Sequence, residues 1–269
     1  MKQLVIFLTV VSLSLTAIAQ QTNKPTRKSK KEEKRERINA MIRAEEEGVI
    51  AYKKHFVFGI KLISDGYSVF FEKGYSKSIK KATLYQVEIG ERKHQKEEKQ
   101  NSSLKPGAPL IYGKVNFFYP IKLGVQQQFL LGNKSNKNGV SISANVGGGI
   151  TLGLLRAYEM EIDDITTGGA GRKYIRYDSP DSLLFANPAG LNPSGPGLFK
   201  GWSHIKLTPG LYIKPGLRFD YGRYNDLVSA IEVGVMGEYY SKKIPQMLYN
   251  KQRSFFFSAY FVLAFGRRK

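Results

Sequence analysis

The side chains best suited to proton transfer in this chain are its three histidines, His55, His94 and His204. General acid–base catalysis needs a histidine within hydrogen-bond reach of an acid or a nucleophile. No spacing around these histidines is diagnostic of a catalytic motif, so the sequence favours surface histidines and predicts no catalytic residue. The acids that lie in the same segments as His94 and His204 are Glu91, Glu97, Asp163 and Asp164.

Two glycine-rich stretches have the composition of phosphate-binding loops but not their pattern. The stretch GGGITLG at 147–153 lacks the Lys-Ser/Thr ending of a nucleotide-binding loop, and TTGGAGRKY fails the required spacing. The first stretch lies in a segment where apolar and polar residues alternate, and glycines there allow a strand to bend. We therefore expect neither a cofactor nor a metal site.

Alternation of apolar and polar residues dominates the chain from about residue 54 onward. In SFFFSAYFVLAFGRRK, near the end of the chain, residues of one parity are almost all apolar and residues of the other are small or polar. Successive side chains of a strand point to opposite faces. Eight segments of this kind predict an all-β fold, an eight-stranded antiparallel transmembrane β-barrel, with ten strands possible. A soluble sandwich with phenylalanines in its core is the competing interpretation.

In the barrel interpretation, the apolar rows contact lipid and the ionic rows line the interior. The predicted lipid-facing residues of the last strand are Phe255, Phe257, Phe261, Leu263 and Phe265. Eight strands enclose only enough room for side chains, so inward charges predict an ion-paired plug rather than an open pore. These inward charges are Lys61, Glu72, Glu88, Lys114, Lys122, Lys206, Lys214, Arg218, Glu232 and Glu238.

The connections between the predicted strands differ in length at the two ends of the barrel. Three of the four outer connections are long, and all inner turns are short, as in outer-membrane barrels. A soluble sandwich gives no reason for this segregation. The predicted inner turns are 76–82, 132–139 and 220–226, and the outer loops are 64–66, 92–110, 163–203 and 241–252.

The first hairpin also has a predicted register. Asp65-Gly66 is typical of a tight turn. A turn at these two residues places Leu62 opposite Val69 and Ile60 opposite Phe71, all on one face.

Five residues oppose a continuous barrel wall. Pro120, Pro209 and Pro215 each lack a backbone N–H, so we expect bulges or strand ends there. Lys73 falls on the lipid face and is tolerable only near the headgroups. Arg156 interrupts an apolar row, which predicts that its strand projects beyond the bilayer.

The amino-terminal residues predict export. Lys2, an apolar run and the small-x-small sequence Ala17-Ile18-Ala19 are typical of a secretory signal peptide spanning residues 1–19. Residues 20–53 then form a charged periplasmic segment, predicted to be disordered or partly helical, and residues 54–269 form the barrel. The chain has no cysteine, so closure of a sheet replaces disulfides as the expected source of stability.

The formal net charge of +20 suits phosphate-rich partners. Because the chain is exported, we expect outer-membrane lipid and lipopolysaccharide, and other envelope proteins as further partners, and no nucleic acid. One part of this charge is predicted to form a basic collar around the outer rim. The collar comprises ERKHQKEEKQ at 91–100 with Arg172, Lys173, Arg176, Lys242 and Lys243.

The signal ending in AIAQ, the period-two strands and the terminal AYFVLAFGRRK resemble the small outer-membrane β-barrel proteins of Bacteroidota-type bacteria. The resemblance covers residues 54–269 and implies fold and outer-membrane location more than activity. We therefore expect a non-enzymatic structural or accessory subunit of an envelope complex, interacting through its N-terminal segment and outer loops. The alternatives are an enzyme acting on outer-membrane lipid or surface peptides, and a narrow pore.

Overall fold

The computed structural model describes residues 32, 35–36, 53–78, 80–100, 108–134, 139–168, 171–188, 190–222 and 227–269. The predicted signal peptide lies outside the described residues, as does most of the charged segment 20–53. Of that segment Glu32, Arg35 and Glu36 are described as helical and exposed. No helix in the described part of the chain is long and apolar enough to cross a membrane.

The described chain is built almost entirely from strands. Eight long strands close into an antiparallel barrel, and two short strand pairs lie outside it. The predicted eight-stranded fold is thus confirmed. The elements are β1 (Lys54–Ile63), β2 (Gly66–Ser78), β3 (Lys81–Arg92), β4 (Lys99–Gln100), β5 (Leu110–Ile111), β6 (Asn116–Gly132), β7 (Ser141–Ala157), β8 (Met160–Asp164), a 3₁₀ helix (Ile165–Thr167), β9 (Gly171–Ile175), α1 (Ser182–Ala186), a second 3₁₀ helix (Trp202–His204), β10 (Lys206–Asp220), β11 (Leu227–Ile244) and β12 (Arg253–Arg268). The strand order around the barrel is β1, β12, β11, β10, β7, β6, β3, β2, and the pairs outside it are β4 with β5 and β8 with β9.

The first hairpin corrects the predicted register by two residues. Ile63 pairs with Gly66 and Ile60 pairs with Val69, so the turn consists of Ser64 and Asp65. A two-residue slip leaves every side chain on its predicted face, which is why alternation alone could not detect it. Gly66 is instead required by a close approach, since a Cβ there would lie 2.0 Å from the Glu91 carbonyl oxygen.

The three prolines lie inside continuous strands, contrary to the prediction of bulges or strand ends. No register shift occurs at Pro120 or Pro215. Instead, the β3–β6 ladder lacks a pair at Pro120, the β10–β11 ladder lacks one at Pro215, and Pro209 immediately precedes the first β10–β11 pair. Each proline is therefore tolerated where one neighbouring ladder is interrupted, while the other ladder stays intact.

The described parts of the outer loops pack together in a layer with its own apolar core. Tyr158 accepts a hydrogen bond from the Ile111 amide (2.8 Å), and its own amide donates to the Val115 carbonyl (2.9 Å). Burial raises the pKa of the Tyr158 hydroxyl to about 12. The buried side chains of this layer are Ile111, Tyr158, Met160, Ile162, Ile175 and Phe185.

Close packing of Tyr212 over Gly124 gives a test of the barrel interior. A Cβ at Gly124 would lie 2.1 Å from the Tyr212 hydroxyl oxygen and 2.6 Å from the Gly148 carbonyl oxygen. We expect Gly124→Ala to destabilise the barrel by about 1–3 kcal/mol through overpacking, measured by urea unfolding in lipid vesicles. Gly132→Ala on the same strand is the control, because a Cβ there meets nothing within 4 Å. Equal effects of the two variants would contradict the packing.

Candidate functional site

The outer surface of the barrel is an apolar face. The five residues predicted to face lipid on β12 are between 37% and 67% exposed, so the phenylalanines do not form a dry core. A monomeric soluble protein rarely exposes a contiguous apolar surface of this kind. Every barrel strand contributes, with exposed side chains that include Phe58, Phe71, Val87, Leu123, Ile150, Leu211, Val235 and Phe257.

The interior carries the charges. Nine of the ten predicted inward charges are buried: Lys61, Glu72, Glu88, Lys114, Lys122, Lys214, Arg218, Glu232 and Glu238. Among the described residues that line the barrel, eight of these nine side chains pair with other charges in two clusters, and Lys114 pairs with Glu97 in the loop layer.

The first cluster centres on Arg218. Its two terminal nitrogens donate to the two carboxylate oxygens of Glu72 at 2.7 and 2.8 Å, and its Nε donates to Glu232 at 2.8 Å. His55 Nε2 lies 3.1 Å from Glu72, and Lys214 Nζ lies 3.3 Å from Glu232. A bidentate arginine–carboxylate pair is among the strongest charge-assisted contacts.

The second cluster lies further along the barrel and links strands across the interior. Glu88 pairs with Lys61 and, at 3.1 Å, with Lys122. Lys122 also lies 2.7 Å from Glu238, which Arg92 contacts at 3.1 Å. One lysine thus joins carboxylates from two distant strands.

Neutral donors occupy remaining acceptor positions of the carboxylates. Tyr240 donates to Glu238 at 2.7 Å, and Tyr260 donates to Glu232 at 3.0 Å. Ser68 donates to Glu88 at 2.9 Å. Buried charges need this additional hydrogen bonding, because ion pairing alone rarely compensates for their desolvation.

The charges within the two clusters balance, and a separate buried group at the inner end of the barrel joins Asp220 to Arg268 and Lys134. Five cations face five carboxylates, so the two clusters need no further counter-ion. The cations are Lys61, Arg92, Lys122, Lys214 and Arg218, and the carboxylates are Asp65, Glu72, Glu88, Glu232 and Glu238.

Two predicted interior residues lie elsewhere. Lys206 is the first residue of β10, is exposed, and donates to Asp178 at 2.7 Å in the outer loops. Lys114 precedes β6 and is buried in the loop layer beside Glu97, where burial lowers its pKa against the opposing effect of Glu97. Both predictions of position were wrong. The alternation of a strand tells which face of the barrel wall a side chain is on, but not how far along the barrel axis it lies.

Sequence reasoning missed three members of the interior network: Arg92, Asp65 and His55. Arg92 donates to Asp65 at 2.8 Å, and its side chain is buried. The available signal was alternation along the strand. Arg92 lies an even number of residues from Glu88, and His55 from Lys61, so each pair faces the same side of the wall. Arg92 had been assigned to a loop, and the ladder register extends β3 to include it.

The two charges that opposed the barrel interpretation are accommodated at aromatic rings. Lys73 is partly buried and lies 5.4 Å from the centre of the Phe56 ring. Arg156, expected to project outside the bilayer, is buried near the outer end of β7, 4.0 Å from the Phe117 ring and 5.2 Å from Trp202. Folded loop residues therefore cover Arg156.

The histidines do not form a proton relay. His204 Nδ1 contacts both Glu159 (2.9 Å) and Ser203 (3.0 Å), whereas a catalytic triad uses different ring nitrogens for the acid and the nucleophile. His94 Nδ1 accepts the Lys96 backbone N–H at 3.2 Å. Neither imidazole forms a hydrogen bond with the carboxylate of an acid that the sequence singled out; His94 meets Glu97 only through the backbone, where the Glu97 N–H donates to the His94 carbonyl at 2.9 Å.

Those acids are engaged by other groups. Glu91 accepts from Tyr67, Glu97 pairs with Lys114, Asp163 accepts from Arg172 and Asp164 accepts from Thr166. In the part of the chain that the structure describes, no group of three or more histidine, cysteine, aspartate or glutamate residues is arranged to hold a metal ion.

The predicted basic collar is partly neutralised within the loop layer. Arg172 lies 2.8 Å from Asp163 and 3.3 Å from Glu161. Burial alone would raise the pKa of Glu161, but hydrogen bonds from Arg172 and Ser194 outweigh burial, so the pKa of Glu161 is lowered. Lys242 and Lys243 are exposed. The other collar pairs are Lys173 with Asp181 (2.9 Å) and Arg176 with Asp178 (2.7 Å).

A closed antiparallel barrel that is apolar outside and ionic inside is a transmembrane β-barrel. Closure pairs the backbone N–H and C=O groups of every strand edge, as a bilayer requires. An even number of strands with short turns at one end is typical of barrels of the bacterial outer membrane. The outer connections (64–65, 93–115, 158–205 and 245–252) are longer overall than the inner ones, as predicted. The chain is therefore an outer-membrane β-barrel.

Comparison with solved structures finds other small barrels. Neisserial surface protein A shares 9% identity, with 80% of this chain and 94% of that chain covered and a TM-score of 0.37. The N-terminal barrel of Pseudomonas aeruginosa OprF (10% identity, 80% and 99% coverage, TM-score 0.36) and Yersinia pestis Ail (9%, 81% and 100%, 0.37) are similar to the same degree. Likenesses this weak say nothing about function. No protein-family model and no curated protein sequence matches the chain.

Proposed function

We propose that this chain is a non-enzymatic, non-conducting outer-membrane barrel that serves as a structural or accessory subunit of an envelope complex. The observation that carries the proposal is the network of ion pairs that fills the interior. A conducting pore needs a water-filled path, and the paired side chains of Arg218, Glu232, Glu88 and Lys122 occupy that space. The enzyme alternative has no proton relay to support it among the described residues.

The outer loop layer supports a role in contacts with other envelope components. Its described residues pack around an apolar core, and it exposes large apolar side chains at its surface: Leu183 (84%), Leu198 (80%) and Phe199 (91%). Exposed apolar residues on an ordered surface favour a protein or lipid contact. The signal peptide, the periplasmic N-terminal segment, the origin in Bacteroidota-type bacteria and the lipopolysaccharide contact stay predictions from the sequence.

The proposal is tested by one preparation of the full-length protein, used in two measurements. In planar lipid bilayers we expect no stepwise conductance at protein concentrations where a general porin conducts, because the interior charges are paired. In intact outer membranes, crosslinking followed by mass spectrometry is expected to join the barrel to another envelope protein through residues 20–53 or the outer loops. Reproducible channels would contradict the closed interior, and crosslinks only between copies of this chain would contradict the subunit role.

A further inference from the structure

At the outer end of the barrel, the hairpin between β1 and β2 projects less far than the connections beside it. The hairpin between β1 and β2 has only Ser64 and Asp65 in its turn, whereas the loops on either side of it, after β3 and between β11 and β12, are longer. A cavity of about 450 Å³ opens between those two loops, above the short hairpin. This volume lies within the range of small-molecule sites.

The cavity is lined by cations from both sides. Lys93 and Lys96 come from the loop after β3, and Lys251 and Arg253 come from the other loop and the start of β12; the imidazole of His94 lies among them. In the described chain, none of the lysines or Arg253 forms an ion pair with a carboxylate. The nearby Asp65 is already held by Arg92 (2.8 Å) and Ser258 (3.1 Å).

The local field is positive. Burial lowers the pKa of His94, and the positive charges of Arg253 and Lys96 lower it further, outweighing the attraction of Glu97. This arrangement differs from that of Arg172, Lys173 and Arg176, whose charges are neutralised by neighbouring carboxylates. Lys93 Nζ also lies 5.5 Å from the centre of the Tyr67 ring, but no carboxylate of the described chain neutralises it. A cationic cluster without carboxylate partners in a concave site is suited to an anion.

The cavity also borders the lipid-facing surface. Phe257, which is 67% exposed on the outside of β12, forms part of its lining together with Phe256, Ile244 and Met247. A ligand with both an anionic group and hydrocarbon chains would match this position. Its anion would lie among the cations at headgroup level, and its chains would lie along Phe257 and the neighbouring apolar row.

We propose that this cavity binds the phosphate monoester of a phosphorylated glycolipid in the outer leaflet, with Lys93, Lys96, Lys251 and Arg253 as the phosphate-binding residues. The proposal rests on the outer-membrane role proposed above and names a lipid class for it. A soluble phosphate could supply the same anion, but the adjoining apolar surface favours a lipid. The phosphate-binding residues come from two loops, so binding also holds those loops together across the low hairpin.

The test uses the full-length protein in detergent micelles and native mass spectrometry with three probes. These are bisphosphorylated lipid A, the same lipid with its phosphates removed, and inorganic phosphate. The variant Lys251→Gln/Arg253→Gln removes two charges from the cavity. The control Lys77→Gln/Lys80→Gln removes two charges from exposed positions at the inner end of the barrel, which lie outside the basic collar and do not line the cavity.

We expect the cavity variant to bind bisphosphorylated lipid A on the order of tenfold more weakly than wild type, and the control variant to stay within about twofold. Wild-type protein should bind the dephosphorylated lipid as weakly as the cavity variant binds lipid A. Equal loss in both variants, or equal binding of the dephosphorylated lipid, would overturn the site. If inorganic phosphate at the same concentration as lipid A displaced lipid A from the cavity, the anion would not need to come from a lipid, and that part of the proposal would be overturned. Lipid binding is measured separately from conductance. A barrel that conducts ions and also binds lipid A would contradict the proposed function but not this lipid site.

Discussion

Replacing Arg218 with methionine is expected to destabilise the barrel by about 3–5 kcal/mol, the range found when one partner of a buried ion pair is removed. The variant leaves the carboxylates of Glu72 and Glu232 buried without the guanidinium that contacts both. Methionine keeps much of the side-chain volume, so the loss reflects charge rather than a cavity. Urea unfolding in phospholipid vesicles, followed by circular dichroism and by fluorescence of the sole tryptophan, Trp202, measures the change.

Lys206→Met is the matched control for this experiment. Lys206 also forms an ion pair, with Asp178 at 2.7 Å, but both side chains are exposed. Exposed pairs contribute about 0–1 kcal/mol. A second variant, Arg218→Met/Glu72→Gln, removes one of the stranded charges and is expected to recover part of the lost stability. If Arg218→Met cost no more than Lys206→Met, the interior would be hydrated and the plug interpretation would fail.

An arginine in place of Phe261 is expected to cost about 2–4 kcal/mol, the penalty for a basic residue near the bilayer midplane on the lipid face of a barrel. Phe261 lies near the middle of β12 and is exposed on the outside of the wall. The same unfolding measurement in vesicles reports the penalty. The cause is transfer of a guanidinium from water into hydrocarbon, since the substitution removes no contact inside the barrel.

Phe265→Arg is the control because Phe265 lies on the same face but four residues nearer the end of the strand. Four residues correspond to roughly 13 Å along a strand, so the arginine can reach the headgroups. We expect a distinctly smaller cost, of about 0–1 kcal/mol. Equal penalties at the two positions, or a gain in stability at Phe261, would show that this face does not contact a bilayer.

Both predictions follow from features that the sequence already contained. Period-two alternation in eight segments gave the number of strands and assigned Phe257, Phe261, Glu72 and Arg218 to their faces. Alternation is a local property of an extended chain, because each side chain points opposite to its neighbour whatever the strand pairs with. Loop lengths are equally local, so the unequal ends of the barrel were also predictable.

Only the structure shows how far along the barrel each side chain lies, which charged side chains pair and how the outer loops fold. A two-residue slip in the first hairpin changes no face, so only the hydrogen-bonded ladder distinguishes Ser64-Asp65 from Asp65-Gly66 as the turn. Parity placed Lys206 and Lys214 on the same side, but one is exposed at the rim and the other is buried in the network. The partners of Arg92 come from strands far apart in the sequence, which no local pattern specifies.

The cavity at the short hairpin is the clearest example of this division. Lys93 and Arg253 lie 160 positions apart in the sequence, and nothing in their local sequence connects them. Closure of β1 against β12 brings the loops that carry them to either side of Ser64 and Asp65. The amino-acid sequence by itself therefore determined which side chains face lipid and which face inward, because that choice is made residue by residue. Which charges meet was decided by barrel closure, because register and closure are properties of the whole sheet.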